Sequence, residues 1–126
     1  MRLSSFLIVN AVLALVFGIG FVLVPGTMAT LYGMTAGPEV NLAGQFFGVE
    51  LIAVGLLCWL ARNVSDSAAQ HAMILAFLVA DVIGLIVSLM GTLSGVFSAV
   101  GWSAVVIYLL LSLGYAYFQF MKPSAS

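Results

Sequence analysis

Residues 68–90 read AAQHAMILAFLVADVIGLIVSLM, an apolar run in which Asp81 is the one acidic side chain and no Lys or Arg occurs. A helix that crosses a bilayer needs about 20 mostly apolar residues, whereas a spanning strand needs only about 10. The length and continuity of this run therefore predict a transmembrane helix.

Three similar runs fill most of the remaining chain, so residues 1–126 are predicted to form one all-α transmembrane domain. The composition supports this prediction, because 64% of the residues are hydrophobic and only 6% are charged. A soluble domain carries roughly a quarter charged residues. The prediction is a polytopic membrane protein whose four transmembrane helices form an antiparallel bundle, with spans at about residues 6–24, 42–61, 68–90 and 100–121.

The few charged residues also exclude several functions. Three Lys and Arg residues against four Asp and Glu residues give no positive surface for nucleic acid. The single cysteine cannot form an internal disulfide. The sequence contains no Ser/His/Asp constellation, phosphate-binding loop or metal-spaced pair, so we expect neither an enzyme nor a metal protein.

The three basic residues predict the orientation of the spans. Arg2 precedes the first span, Arg62 follows the second and Lys122 follows the fourth, so all three lie on one side. Positive residues concentrate on the cytoplasmic side of membrane proteins. Both termini are therefore predicted to be cytoplasmic in a multi-pass plasma-membrane protein.

Signals between the spans predict local structure. Ser67 and Gln70 fit a capping box at the start of the third span, and the short connection from Arg62 predicts a helical hairpin. The segment from Thr27 to Gly33 has helical spacing, and it either lies on the membrane surface or caps the bundle. An interfacial aromatic belt is predicted at Trp59, Trp102, Tyr115, Tyr117, Phe118 and Phe120.

Small residues mark the helix faces that can pack closely in lipid. The second span carries Gly44, Gly48 and Gly55 on one face. The third span carries five small residues at four-residue spacing: Ala72, Ala76, Ala80, Gly84 and Ser88. These faces either pack within the bundle or form a contact with another chain.

Glu50 and Asp81 are the two carboxyl groups within predicted spans, and both fall near the midplane. An ionisable side chain there costs roughly 2.5 to 3.5 kcal/mol and is a functional candidate by default. Glu50 lies about 200° around its helix from Gly48 and should face away from the glycines. The two acids are candidates for structural hydrogen bonding, for a proton or cation site in which at least one keeps its proton, or for pairing with a partner chain's basic residue.

Other polar residues in the spans have simpler interpretations. His71, the single histidine, is expected to be an interfacial residue whose ring points toward water, and no cofactor is expected. The alternative is that His71 is an axial ligand for haem or another pigment, although haem in bundles usually takes two ligands. Asn10 and Gln45 are expected to donate hydrogen bonds between helices, and Cys58 is expected to be an inert thiol.

Residues 44–62 read GQFFGVELIAVGLLCWLAR and follow a first span that ends near Pro25 and an outer Leu31-Tyr32-Gly33. This combination resembles the bacterial DoxX-like small four-helix membrane proteins. The resemblance implies a four-span fold in the bacterial inner membrane and draws attention to Glu50. Such proteins often carry an arginine in the first helix, which this chain lacks, and they share no single activity.

Taken together, these features predict an accessory, scaffolding or assembly component of a larger membrane complex. Its expected partners are the lipid bilayer and either other membrane protein subunits or further copies of the chain. The first alternative is a small proton-linked transporter or channel that uses Glu50 and Asp81. The second is a membrane redox enzyme or a quinone- or pigment-binding subunit that uses His71.

Overall fold

A computed structural model describes residues 2–121, and this part of the chain is all-helical. The helices are α1 (Leu3–Leu23), α2 (Pro25–Leu31), α3 (Pro38–Ala61), α4 (Ser67–Leu93) and α5 (Gly101–Ala116), with a π-helical turn at Tyr117–Met121. Four helices, counting α5 with its π-helical turn, are long and apolar enough to cross a membrane. They include most of each predicted span and suggest a multi-pass membrane protein. Lys122, used to predict orientation, lies outside the described residues.

The starts of the two central helices follow from local chemistry. Pro38 and Glu39 occupy the first turn of α3, where a fixed φ and a negative charge are both favourable. The cap of α4 is Asp66, whose carboxylate accepts a hydrogen bond from the backbone N–H of Ala69 at 2.8 Å. The prediction that Ser67 is the capping residue was therefore wrong by one position, because a charged oxygen acceptor stands just before it.

Helix α2 covers one end of the α1 and α3 pair. The backbone breaks at Val24, and α2 then packs mainly against α3 and less against α1. Ala29 and Tyr32 are buried by this packing. The short helix predicted near Thr27 is therefore present, and it lies against the bundle.

Helices α1 and α3 form the closest pair in the fold. A Cβ atom on Gly48 would lie 2.7 Å from the carbonyl oxygen of Gly18, and one on Gly18 would lie 2.9 Å from that of Gly48. A Cβ on Gly55 would lie 2.7 Å from Leu15. Since lipid tails are as apolar as the side chains, such close backbone approach supplies the van der Waals contact that holds the helices together.

Helices α4 and α5 form the second close pair. Tyr108 lies directly over Gly84, where an added Cβ would overlap the ring. Helices α3 and α4 are joined by a short connection, but they do not form a comparably close pair. A groove of about 240 Å³ separates them beside this connection, and it is lined by Leu57, Ala61, Val64, Ala69, Met73, Ala76 and Phe77.

The pair of α1 and α3 is connected to the pair of α4 and α5 at both ends of the bundle. At the end that contains the start of α1 and the π-helical turn, a core cluster includes residues from α1, α3, α4, α5 and that turn: Leu3, Leu7, Ala11, Cys58, Ile74, Phe77, Leu111, Tyr115 and Phe118. At the other end, the backbone N–H of Ser98 donates to the carbonyl of Tyr32 at 2.8 Å, and its hydroxyl donates to that of Leu31 at 2.9 Å. Gly33 permits this contact, because its φ of +82° favours glycine and a Cβ there would lie 2.8 Å from the Ser98 nitrogen.

Replacing Gly48 with alanine tests the close pair. Gly48→Ala places a methyl group against the α1 backbone, so we expect a loss of about 1 to 3 kcal/mol in the free energy of unfolding. Gly37→Ala is the matched control, since nothing lies within 4 Å of a Cβ at that position. Unfolding of the two variants in detergent micelles, followed by tryptophan fluorescence, measures the difference; equal stability would contradict the described contact.

Candidate functional site

Glu50 and Asp81 both lie near the middle of their helices but in different surroundings. Helix α3 has 24 residues and α4 has 27, and each acid is about half way along. Glu50 is exposed on the outside of the bundle, whereas Asp81 is only 9% exposed. Within residues 2–121 no hydrogen bond joins them. The structure therefore does not bring the two acids together.

Glu50 faces outward because of the contacts that Gly48 makes. Gly48 lies against α1, and a position two residues later is turned by about 200° around the helix. The neighbours on this outer side are also exposed, with Phe46 at 65% and Leu57 at 51%. The rotation expected from the sequence is thus the rotation in the structure.

Asp81 faces α5. The rings of Phe77 and Tyr115 lie 5.4 Å apart and Gly84 lies under Tyr108, so Ser112 falls at about the level of Asp81. Within the described chain, Oδ2 of Asp81 and Oγ of Ser112 are both buried without a hydrogen-bond partner. Asp81 also interacts electrostatically with Tyr108, Tyr115 and Cys58. A carboxyl group in such a position can hold a proton or donate one to a neighbouring oxygen.

Tyr115 is the polar centre of the core and was not identified from the sequence. Its side chain is fully buried, with 0% exposed. Asn10 donates a hydrogen bond to its hydroxyl oxygen, the sulfur of Cys58 lies 3.9 Å from that oxygen, and Phe6 meets the ring edge to face at 4.8 Å between centroids. These contacts bring α1 and α3 to α5.

The aromatic belt predicted at the end of α5 was therefore partly wrong. Tyr115 and Phe118 point into the core, whereas Tyr117 and Phe120 are 43% and 74% exposed. Aromatic residues at a helix end are common both in a protein core and at the membrane–water interface, so residue type alone could not separate the two roles. The signal that could have found Tyr115 was Asn10, a polar side chain in an apolar span that needs a partner.

The small residues divide between two environments. The glycines of α3 face α1. A Cβ atom added to Gly44, for example, would lie 3.4 Å from the Phe21 ring. Gln45 on the same helix donates to the carbonyl of Val22 at 3.2 Å. The stripe on α4 splits: α5 covers Gly84, Ser88 is buried, and the remaining members are exposed, namely Ala72, Ala76 and Ala80.

Arg62 and Trp59 pack against each other at the C-terminal end of α3. The Arg62 guanidinium lies 3.9 Å from the centre of the Trp59 ring, and it donates to the Trp59 carbonyl at 2.5 Å. His71 is exposed near the start of α4. In the part of the chain that is described, no group of three or more His, Cys, Asp and Glu residues could hold a metal ion.

Tyr115→Phe tests the polar centre of the core. The ring contacts stay, but the side-chain N–H of Asn10 loses its acceptor in an apolar core, so we expect a loss of about 1 kcal/mol in the free energy of unfolding. Tyr117→Phe removes a hydroxyl from an exposed ring of the same helical segment and should change this free energy by less than about 0.5 kcal/mol. Chemical unfolding in micelles compares the two, and an unchanged Tyr115→Phe would contradict the assignment.

Comparison with protein-family models, curated proteins and solved structures found no match to the chain. No activity or partner therefore passes to it from a relative. What its own residues offer is one carboxyl group turned outward at the middle of α3 and one enclosed beside α5 at the middle of α4.

Proposed function

We propose that the chain is an accessory or assembly component of a larger membrane complex and that it binds its partner through the outer face of α3. The proposed setting is a bacterial inner membrane, as the resemblance of residues 44–62 to DoxX-like proteins implies. In this setting the four long helices form an antiparallel bundle whose termini both lie in the cytoplasm.

Contacts between α1 and α3 support this orientation. Phe21 lies beside Gly44 and Leu15 lies beside Gly55, so residue numbers rise along one helix as they fall along the other. Arg2, before α1, and Arg62, after α3, then lie at the same end of the pair. The positive-inside rule assigns that end to the cytoplasm.

The exposure of Glu50 is the observation that carries the proposed function. In the middle turns of α1, α4 and α5 the outward side chains include no acid or base among the described residues, as expected for helices that face lipid. Glu50 alone presents a carboxyl group there, and an unpaired carboxyl group costs several kcal/mol in hydrocarbon. A partner that hydrogen-bonds to Glu50 removes most of this cost, which favours lateral assembly over an isolated bundle.

Glu50→Leu tests this function. The variant keeps the apolar surface but removes the hydrogen-bonding group, so we expect at least a tenfold loss of the assembled species, the effect of about 1.4 kcal/mol. Native mass spectrometry of gently solubilised membranes measures the loss. Val79→Leu, an outward substitution on α4, is the control and should assemble normally. Recovery of the native chain alone and monomeric would contradict the proposal.

The buried Asp81 favours a second candidate, a small proton-linked transporter or channel. Its Oδ2 atom and the Ser112 hydroxyl are both buried without hydrogen-bond partners in the described chain, and Asp81 interacts electrostatically with Tyr108, Tyr115 and Cys58. Intramembrane carboxyl groups in such surroundings are the usual carriers of protons. In this alternative, Asp81 carries the proton, and Glu50 is a second candidate at the same depth.

Asp81→Asn distinguishes this alternative from assembly. If the chain moves protons through Asp81, proton flux into liposomes should fall at least tenfold in this variant, because an amide does not ionise. Glu50→Gln should keep the flux if Asp81 is the carrier, and it serves as the matched control. Flux from the native chain no greater than from empty liposomes would exclude the alternative.

A further inference from the structure

The outer face of α3 has the spacing of a helix contact. Six outward side chains follow one another at intervals of three and four residues, and all six are exposed. We call them the outer seam: Ala43, Phe46, Glu50, Ala53, Leu57 and Leu60. Two helices that cross at a small angle pack through this spacing, in soluble coiled coils and in membranes alike.

Glu50 lies near the middle of the outer seam, with Phe46 one turn before it and Ala53 one turn after it. Ala53 is small enough to let a second helix approach closely beside the carboxyl group, and Ala43 is a second small residue two turns before Glu50. Phe46, which lies between Ala43 and Glu50, and Leu60, near the end of α3, provide larger apolar groups at 65% and 72% exposed. The face thus combines space for a neighbouring backbone with a central polar group that needs a partner.

The rest of the described chain offers Glu50 no partner. No hydrogen bond or ion pair within residues 2–121 involves its carboxyl group. The chain has three Lys and Arg residues, of which Arg2 and Arg62 lie at helix ends and Lys122 lies outside the described residues. At 1.5 Å per residue, Arg62 is roughly 18 Å along the helix from Glu50.

We infer that the outer seam binds a second copy of the chain, α3 against α3 about a twofold axis that passes beside Glu50. The inference rests on the proposed function and names the partner at that face. Copies inserted in one membrane share an orientation, so each residue of a parallel α3 contact meets the same residue at the same depth. Glu50 therefore meets Glu50 of the other copy.

Two protonated carboxyl groups can satisfy each other's hydrogen-bonding capacity. Each group has one O–H donor and one carbonyl acceptor, so two of them can exchange two hydrogen bonds without any cation. This self-complementarity favours a second copy over a partner with a basic residue, because no additional side chain is needed. The outer faces of α1, α4 and α5 lack such a group in their described middle turns, so the contact is assigned to α3.

Cysteine cross-linking of the full chain in liposomes tests the geometry. Ala53→Cys puts a thiol on the outer seam one turn from Glu50, whereas Val12→Cys puts one on the outward face of α1. The native chain is the baseline, because its own Cys58 is fully buried. With a membrane-permeant oxidant we expect at least tenfold more disulfide-linked dimer from Ala53→Cys than from Val12→Cys.

Energy transfer between labelled copies in liposomes tests the role of Glu50 independently of any cysteine at the outer seam. Glu50→Leu should raise the dimer dissociation constant about tenfold, while Glu50→Gln should leave it within about threefold, because an amide also donates and accepts. A dissociation constant that Glu50→Leu leaves unchanged overturns the inference. So does equal cross-linking at positions 12 and 53.

The outcomes also separate this inference from the proposed function. A complex with a different protein that depends on Glu50, together with no cross-linked homodimer, overturns the second-copy inference and leaves the assembly function standing. A chain that is monomeric, alone and unaffected by Glu50→Leu overturns both. A homodimer that Glu50→Leu weakens supports both.

Discussion

The rotation of α3 about its own axis is the constraint on which the outward site depends. Gly18 and Gly48 let the α1 and α3 backbones touch, and any other rotation would place a larger side chain between them. Because this contact fixes one face of α3 against α1, it also fixes what the opposite face presents to the bilayer. The exposure of Glu50 is therefore a consequence of glycine packing about 200° away.

The same principle acts on α4 with the opposite result. Gly84 receives the ring of Tyr108, and Asp81, almost one turn earlier, is carried to the same side of the helix and so toward α5. Two acids at similar depth thus acquire different chemistry from the position of one small residue beside each. The outward acid is available to another molecule, and the inward acid is available to a proton or to its own bundle.

These two acids also show how far the sequence could predict the site. Apolar length predicted four long helices, and helical geometry predicted that Glu50 faces away from Gly48, because both depend only on local spacing. The direction of Asp81 and the burial of Tyr115 depend on which helices are neighbours, and spacing within one helix carries no such information. The prediction of Ser67 as the cap of α4, where Asp66 is the cap, failed for a smaller reason, since both adjacent side chains can accept the hydrogen bond.

The stacked pair of Arg62 and Trp59 has a consequence for depth. An indole ring and a guanidinium group together prefer the boundary between hydrocarbon and water, so in the proposed transmembrane arrangement they favour that end of α3 at the membrane surface. Glu50 lies nine residues before Trp59, roughly 14 Å along the helix, which is close to half the thickness of the hydrocarbon core. In the proposed transmembrane arrangement, an anchor at the end of α3 therefore sets the depth of the carboxyl group on the same helix, near the bilayer centre.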